Sequence, residues 1–405
     1  MTFHRSIRKH HKVVWQLLMN RDFRHIDTPF YYYDTALLRA TLDVICSEIA
    51  QYPNFHVHYA LKANANPKLL RIIRDAGFGA DCVSGGEVQV AIDAGFPADK
   101  VVYAGVGKSD REILTALKHN IFCFNVESIP ELQIINQLAA EEGEVARVCL
   151  RINPDVEAHT HAHIVTGKAE NKFGIALTDM LQVVKMAEDL PNISFQGLHF
   201  HIGSQITNMQ DFVALCERVN AIQDQLNQVQ IYPAVINVGG GLGIDYQSPE
   251  QNPIAHFKEY FQVFAQHLHL RPNQSLHFEL GRSVVAQCGS LITRVLYVKQ
   301  ATTKLFAIVD AGMTELLRPS LYQAHHQIVN LTAASSSQCV QYDVVGPVCE
   351  STDVFDRDVC LPLTSRGDLL AIRSAGAYGE SMASTYNCRP LVLSYTSEEL
   401  ENIPV

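Results

Sequence analysis

The chain has 405 residues, of which 47% are hydrophobic and 18% are charged, and its formal net charge is −10. No segment approaches the roughly 18 consecutive apolar residues of a membrane span, so we expect no membrane partner. The net negative charge argues against a nucleic-acid partner. The length suits a barrel of about 250 residues together with a second domain.

The ten cysteines lie between Cys46 and Cys388 and form no CxxC pair. A chain of this size needs no disulfide to hold a small core, so we expect reduced thiols and a cytoplasmic location. Residues 1–12 are basic, but no apolar segment with a small-residue cleavage site follows them. We therefore expect a frayed tail and no secretory signal.

Short β-rich segments alternate with helix-length amphipathic segments from Pro29 to Leu280. Eight segments qualify as strands, namely residues 56–61, 79–83, 101–104, 122–126, 147–152, 197–202, 235–238 and 276–279. The helical patterns between them include residues 66–76, 85–94, 109–119, 129–142, 178–189 and 209–227. Eight strand–helix units in succession predict an α/β fold with a closed (β/α)8 barrel.

After Ser283 the pattern changes to β-branched segments separated by turns, which predicts a mostly antiparallel β domain. Its predicted elements are strands at 28–33, 284–299, 305–310, 339–345, 368–374 and 389–395, a helix at 315–326 and a surface loop at 333–338. We therefore expect two domains. Residues 35–283 form the barrel, and residues 1–34 together with 284–405 form the β domain.

The segment Tyr59-Ala60-Leu61-Lys62-Ala63-Asn64 places a single lysine at the end of the first barrel strand. Such a lysine either extends its amine into water or serves as a Schiff-base amine for a carbonyl cofactor. The small residues after it leave room for a flat ligand at the carboxyl face of the barrel, where active sites of this fold lie. This segment alone leaves both interpretations open.

The loop Val238-Gly239-Gly240-Gly241 follows the seventh strand. Its backbone N–H groups could cradle a phosphate. It lacks the spaced glycines and the acidic ribose partner of a dinucleotide fold, so NAD is disfavoured. Glu279, at the end of the eighth strand, is either a solvated carboxylate or a ligand contact.

Two histidine-rich segments raise the question of zinc. A period of two would place His199 and His201 on one face of a strand, and His159, His161 and His163 have the same spacing. A zinc site needs further ligands, and none is evident near either segment. We therefore expect no metal.

Seven motifs occur in the order of a known family. They are the Lys62 segment, Asp81-Cys82-Val83-Ser84-Gly85-Gly86-Glu87, Gly105-Val106-Gly107-Lys108, Phe124-Asn125-Val126-Glu127-Ser128, His201-Ile202-Gly203-Ser204-Gln205, the triple glycine, and Glu279-Leu280-Gly281-Arg282-Ser283. Together they resemble the alanine-racemase-like, fold-type III barrel decarboxylases that use pyridoxal phosphate.

Three later motifs are similar to those of the family members that decarboxylate meso-2,6-diaminopimelate to L-lysine and CO2. They are Arg318-Pro319-Ser320-Leu321-Tyr322, Gly346-Pro347-Val348-Cys349-Glu350-Ser351 and Gly376-Ala377-Tyr378-Gly379. The resemblance covers residues 28–393, and the chain departs from it at Leu280, where the family usually has proline.

The resemblance implies catalytic roles for Lys62, His201, Glu279 and Cys349. Lys62 would hold the cofactor covalently, His201 would stack on its ring, and Glu279 would pair with the pyridine nitrogen. Cys349 would donate a proton in the active site of the neighbouring subunit of a homodimer.

The resemblance also implies two binding sets. The cofactor contacts are Lys62, Asp81, His201, Ser204, Gly239, Gly240, Gly241, Glu279, Gly281, Arg282 and Tyr378. The substrate contacts are Arg282, Arg318, Tyr322, Glu350 and Tyr378, with the arginines suited to a carboxylate.

Rival activities within the family are decarboxylation of ornithine, arginine or carboxynorspermidine. Ornithine-type enzymes usually have aspartate where this chain has Glu350, and their substrate ends in an amine. From other classes, a cofactor-binding homeostasis protein would lack the β domain. A regulatory relative would have lost the lysine or the phosphate contacts, and this chain keeps both.

Overall fold

The computed structural model describes residues 23–156, 172–333 and 338–401. Its described residues divide into two compact units. The barrel unit comprises Leu42–Gly243, without the gap, and His256–Gly281. The sheet unit comprises the residues up to Thr41, Ile244–Ala255, and those from Arg282 onward.

The strands of the described residues are numbered in chain order. They are β1 (Phe30–Tyr33), β2 (Phe55–Ala60), β3 (Gly79–Cys82), β4 (Val101–Tyr103), β5 (Cys123–Val126), β6 (Ala146–Arg151), β7 (Ile193–His199), β8 (Val235–Asn237), β9 (Ser275–Leu280), β10 (Gly289–Gln300), β11 (Leu305–Val309), β12 (Ile328–Asn330), β13 (Cys339–Val345), β14 (Val354–Pro362), β15 (Leu369–Ile372) and β16 (Leu393–Thr396).

The α-helices are numbered in the same way. They are α1 (Thr35–Ile49), α2 (Pro67–Asp75), α3 (Gly85–Asp93), α4 (Asp110–Lys118), α5 (Ile129–Glu142), α6 (Met180–Asp189), α7 (Met209–Gln228), α8 (Phe257–His267), α9 (Arg282–Val285), α10 (Arg318–Tyr322) and α11 (Ser397–Glu401).

Strands β2 to β9 form a closed barrel in sequence order, and every neighbouring pair is parallel. Pairing of β2 with β9, from Phe55↔Leu276 to Tyr59↔Leu280, completes the ring. The predicted (β/α)8 barrel is thus confirmed. Parallel strands need crossover helices, and those helices cover the outer face of the barrel.

Alternation along β9 separates the two faces of the barrel wall. The outward Phe278 ring meets the rings of Phe261 and Phe264 of α8 at centroid distances of 5.0 and 5.1 Å. The next residue, Glu279, has its hydrogen-bond partners on other strands of the barrel. A period of two therefore puts aromatic packing outside and the carboxylate inside.

Local sequence signals begin the helices that follow the site strands. Asn66 caps α2 by accepting from Lys68 N, and Pro67 occupies the first helical turn. Ser84 and Ser128 cap α3 and α5 in the same way, each accepting from the backbone N–H of a glutamate. These caps satisfy N–H groups that the helix itself leaves unpaired, and so they set the length of each strand–helix loop.

The sheet unit contains a mixed, mostly antiparallel sheet, which confirms the predicted β domain. Its strand order is β12-β15-β10-β11-β13-β14, and β1 pairs antiparallel with β10 and parallel with β16. The core beside β1 includes Phe23, Phe30, Tyr32, Ile292 and Leu369. The long strand β10 therefore organises the unit, because it pairs with β1, β11 and β15.

Several predicted elements need correction. The strand predicted at 284–299 is a short helix, α9, followed by β10, and the helix predicted at 315–326 is reduced to α10. Strand β14 was not predicted, because Asp356, Arg357 and Asp358 interrupt its apolar pattern. Of the predicted loop at 333–338, residues 334–337 lie outside the described residues.

The expectation that all thiols are reduced was wrong for Cys339 and Cys360, which form a disulfide. Antiparallel pairing of β13 with β14 brings their Cα atoms to 5.6 Å. The sequence could not indicate this pairing, because β14 was not predicted. The other eight cysteines are free.

Candidate active site

Lys62 lies in a 3₁₀ turn, Leu61–Ala63, directly after β2. The residue is exposed, whereas Leu61 and Ala63 on either side are fully buried. The Tyr59 hydroxyl donates to the Asn64 carbonyl at 2.8 Å, and this bond ties the turn to the strand. The turn that carries Lys62 is therefore anchored at the carboxyl end of β2.

Glu279 lies at the centre of a hydrogen-bond network formed by four strands. Its Oε1 accepts from Asn125 Nδ2 of β5 at 2.9 Å and from Asn237 Nδ2 of β8 at 2.7 Å. Its Oε2 lies 3.0 Å from His199 Nε2 of β7. All four side chains are buried. Since hydrogen bonds to an ionised group contribute about 1.5–3 kcal/mol each, this arrangement holds Glu279 as a carboxylate.

Asp81, on β3, is the second buried carboxyl in this region, and its surroundings favour the protonated form. Burial raises the pKa of Asp81 well above its usual value, the nearby Glu279 raises it further, and Lys62 lowers it. Burial also acts to raise the pKa of Glu279, but His199 and Lys62 outweigh it and leave that pKa well below its usual value. The negative charge therefore resides on Glu279.

The triple-glycine loop packs against the loop that follows β7. A Cβ on Gly239 would lie 2.7 Å from His201 Nδ1, and one on Gly240 would collide with the Glu279 carbonyl. Gly241 has a φ of 114°, which favours glycine. Gly240 N donates to His201 Nδ1 at 3.2 Å. Glycine is therefore required here both for close backbone approach and for conformation.

Three further predicted residues have defined places in these loops. Ser204 is half-buried and follows Gly203, whose carbonyl would lie 2.7 Å from a Cβ on Gly241. A Cβ on Gly281 would lie 3.1 Å from the Cβ atoms of Ala60 and Ala63, on either side of Lys62. His201 was predicted to share a strand face with His199, but β7 ends at His199 and His201 lies in the loop.

An ion-pair network supports the loops that follow β4, β5 and β6. Lys108 Nζ donates to Glu131 and to the carbonyls of Gly105 and Asn125, and its side chain is only 1% exposed. Glu127 accepts from Arg151 at 2.9 Å. Lys108 is therefore a buried structural cation with three hydrogen-bond partners.

In the sheet unit, two buried arginines meet around one tyrosine. Arg282 Nη1 donates to the Tyr246 hydroxyl at 2.7 Å, and the Arg318 guanidinium lies 4.9 Å from the centre of the Tyr246 ring. Arg282 also lies 4.9 Å from the Tyr378 ring. Arg318 Nη1 lies 2.7 Å from His326 Nε2. This arrangement concentrates positive charge where a carboxylate or phosphate would be stabilised.

The Gly346–Ser351 motif forms an exposed loop in the sheet unit. Asp353 anchors it by accepting from Val348 N at 2.7 Å. Cys349 and Glu350 are both exposed, and Glu350 accepts from the Tyr386 hydroxyl at 2.7 Å. Tyr322 ends α10 and is half-buried. The loop therefore presents the Cys349 thiol to the surface of the single chain.

Sequence reasoning missed Asn125, His199 and Asn237 as partners of Glu279, and it missed Tyr246 and His326 beside the arginines. The strand residues carried one usable signal, since each is polar and falls at an inward position of a predicted strand. Tyr246 and His326 carried none, because they lie outside the predicted strands and become neighbours of the arginines only in the folded chain.

Within the described ranges, no group of three or more His, Cys, Asp or Glu side chains could hold a metal ion. The His159, His161 and His163 segment lies outside the described residues. No helix in the described part of the chain is long and apolar enough to cross a membrane.

The family model for pyridoxal-dependent decarboxylases, pyridoxal binding domain, matches residues 46–286. The chain belongs to this family of pyridoxal-dependent decarboxylases. The resemblance deduced from the motifs is therefore confirmed.

Similar proteins within this family include several diaminopimelate decarboxylases. A diaminopimelate decarboxylase of Bacteroides thetaiotaomicron is 61% identical over 378 residues, which cover 93% of this chain and 97% of the relative. One from Vibrio cholerae is 42% identical, covering 90% of this chain and 86% of the relative. Among solved structures, diaminopimelate decarboxylase from Helicobacter pylori complexed with L-lysine matches with a TM-score of 0.86 and 41% identity, covering 92% of each chain.

The residues at the carboxyl end of the barrel fit a pyridoxal cofactor. The glycine loop lies so close to neighbouring backbone that an added Cβ would collide with it, and a glycine-rich turn of this kind can present backbone N–H groups to a phosphate. Of the buried polar atoms without a hydrogen-bond partner within the described structure, three belong to barrel strands of this site: Asp81 Oδ1, Asn125 Oδ1 and His199 Nδ1. Because unpaired buried polar atoms are rare, they are consistent with a site shaped for a polar ligand.

Proposed function

We propose that the protein catalyses the pyridoxal-phosphate-dependent decarboxylation of meso-2,6-diaminopimelate to L-lysine and CO2. The observation that carries the choice of substrate is the buried pair Arg282 and Arg318 around Tyr246. A substrate that ends in an amine has no use for two buried guanidiniums, whereas one that keeps a second carboxylate does. The 61% identical relative supports the same choice.

The cofactor would be held by the barrel, which we assign as the cofactor domain within residues 35–283. The second domain is proposed to comprise residues 1–34 and 284–405. Lys62 Nζ would attach the cofactor covalently, because it is a primary amine carried by an anchored turn at the carboxyl end of the barrel. Bound pyridoxal phosphate would supply a ring that accepts the electron pair left behind when CO2 departs.

Glu279 would maintain the electron-accepting power of that ring. As a carboxylate with three hydrogen-bond donors, it is suited to stabilise a proton on the pyridine nitrogen. His201 would stack on the ring, and Asp81 would provide a polar contact beside it. Ser204, the Gly239–Gly241 loop, the backbone of Gly281 and Arg282, and Tyr378 would bind the phosphate.

The arginines would orient the distal end of the substrate. Arg282 and Arg318 would bind its carboxylate, with Tyr322, Glu350 and Tyr378 completing the contacts. Binding energy at this distal end would hold the reacting carbon in place, away from water.

Cys349 would complete the reaction by donating a proton from Sγ to the carbon that has lost CO2. We propose that it acts in the site of a partner subunit, so that the enzyme is a homodimer with shared active sites. The exposed position of this thiol in the single chain supports that arrangement. We also propose a cytoplasmic location, supported by the eight free cysteines beside one disulfide.

The test is to incubate the purified protein with pyridoxal phosphate and four amino acids separately: meso-diaminopimelate, L-lysine, L-ornithine and L-arginine. We expect stoichiometric CO2 and L-lysine from the first and no more than about 1% of that rate from the others, as differences of about 3 kcal/mol at a buried charged site imply. Faster CO2 release from ornithine or arginine would refute the proposal. Lys62→Ala is the negative control.

A further inference from the structure

We propose that His326 and Tyr246 are positioning residues that hold the Arg318 and Arg282 guanidiniums as one receptor for the substrate's distal carboxylate. This inference rests on the proposed function. His326 and Tyr246 would set the distance between the two guanidiniums and their orientation without touching the substrate.

Arg318 and His326 are in direct contact. Arg318 Nη1 lies 2.7 Å from His326 Nε2, and His326 Nδ1 lies 2.8 Å from the Arg373 carbonyl oxygen. A guanidinium only donates and a carbonyl only accepts. Therefore His326 Nε2 must accept and Nδ1 must carry the proton, so the imidazole is held neutral in one tautomer.

That tautomer fixes the direction of Arg318. Burial lowers the pKa of His326 well below its usual value, and the adjacent Arg318 lowers it further, which agrees with a neutral ring. His326 is 1% exposed, so water does not compete for its acceptor. One N–H of Arg318 is thereby committed to His326, and the rest of the planar fork is left with a fixed orientation.

Tyr246 joins the two arginines. Its hydroxyl accepts from Arg282 at 2.7 Å, the Arg318 guanidinium lies 4.9 Å from its ring centre, and the His326 ring meets it edge to face at 5.1 Å. A single aromatic ring is therefore in contact with both cations and with the histidine. Cation–π attraction offsets part of the repulsion between the two charges.

The remaining repulsion favours an anion. Arg282 and Arg318 are 7% and 6% exposed, and no ion pair joins Arg318 to an acidic side chain in the described part of the chain. Burial lowers the pKa of Arg318, Tyr246 raises it and Arg282 lowers it. Two buried like charges gain most from a ligand that carries a negative charge, and a planar carboxylate matches two guanidinium forks.

The test compares two ligands that differ by one carboxylate. L-lysine, the proposed product, keeps the distal carboxylate, and pentane-1,5-diamine lacks it. Binding of each to the holoenzyme is measured by titration calorimetry for the wild type and for His326→Phe, Tyr246→Phe and His326→Gln. The wild type is expected to prefer L-lysine by at least about tenfold, which corresponds to about 1.4 kcal/mol.

His326→Phe and Tyr246→Phe are each expected to weaken L-lysine binding by about tenfold and to change diamine binding less than about twofold. His326→Gln, which restores an acceptor for Arg318, is expected to recover most of the loss. The matched control is His325→Gln, which changes the neighbouring histidine that pairs with Asp356 at 2.7 Å. It should leave the preference unchanged.

Tyr246→Phe removes a single oxygen, so it keeps the test valid if His326→Phe does not fold. Retention of the full preference by folded Tyr246→Phe and His326→Phe would overturn this inference and leave the proposed function intact. Equal weakening of both ligands would also overturn it, because a general loss of structure would explain the result. A wild type without any preference would overturn both the receptor and the proposed choice of substrate.

Discussion

In the interior of the barrel, His58 Nε2 of β2 lies 2.8 Å from His277 Nδ1 of β9. His58 Nδ1 lies 3.0 Å from the Lys100 carbonyl, and His277 Nε2 lies 2.9 Å from Ser275 Oγ. Because the carbonyl only accepts, His58 Nδ1 carries its proton, and His58 Nε2 accepts from His277 Nδ1. Both imidazoles are buried and neutral, and together they join the two strands that close the ring.

This pair predicts that acid destabilises the barrel. Burial lowers the pKa of His58 from 6.5 to about 4. Between these two values the unfolded chain binds the proton more readily, so stability is present above pH 6.5 and is lost as the pH falls towards 4. Full loss amounts to about 3 kcal/mol for this one group.

The measurement is the urea midpoint at pH 7.5 and at pH 5 for the wild type and His58→Asn. The free energy of unfolding, obtained from each urea curve, should fall less between pH 7.5 and pH 5 in His58→Asn than in the wild type, by about 2 kcal/mol. His256→Asn is the matched control, because the His256 side chain is 67% exposed. An equal drop in all three proteins would contradict the prediction.

Lys62→Ala is expected to abolish covalent attachment of pyridoxal phosphate and nearly all turnover, because both depend on its amine. In the wild type, borohydride reduction followed by digestion should leave the pyridoxyl mass on the peptide that contains Lys62. Lys108→Ala is the comparison. The Lys108 amine pairs with Glu131, so the Lys108→Ala protein should still carry the label on Lys62. A label found on Lys108 would disprove the assignment.

Glu279→Gln is expected to lower turnover by at least about a hundredfold while cofactor remains bound, because the amide cannot stabilise a proton on the pyridine nitrogen as a carboxylate does. The substitution also confronts the Asn125 and Asn237 amide donors with a neutral side chain. Turnover and cofactor absorbance should be measured together. Glu259→Gln, at an exposed position, is the control. Unchanged turnover in Glu279→Gln would remove this residue from the mechanism.

Subunit exchange tests the role of Cys349. Lys62→Ala and Cys349→Ala chains, each inactive, are mixed in equal amounts. If the sites are shared, half of the dimers are mixed and each has one intact site, so activity returns to about a quarter of the wild type. Cys388→Ala is the control, since Cys388 is also exposed and free, and it should stay active by itself. Absence of recovery after demonstrated exchange would place Cys349 outside the shared site.

Local patterns were enough to predict the barrel, because each strand–helix unit records its own periodicity and its own turn. The same patterns located Lys62 and Glu279 at strand ends. They failed where local signals conflict. At residues 284–299 the β-branched segment begins with a helical turn. In β14 the charged residues interrupt the apolar pattern that predicts a strand.

The sequence by itself determined which strand ends carry chemical groups, since period and turn position are local properties. Only the tertiary structure decided which groups meet. Glu279 gains Asn125, His199 and Asn237 from strands that lie 154, 80 and 42 positions away, because the barrel closes in one register. Arg318 gains Tyr246 in the same way. Such contacts depend on long-range packing, and no local pattern in the chain encodes them.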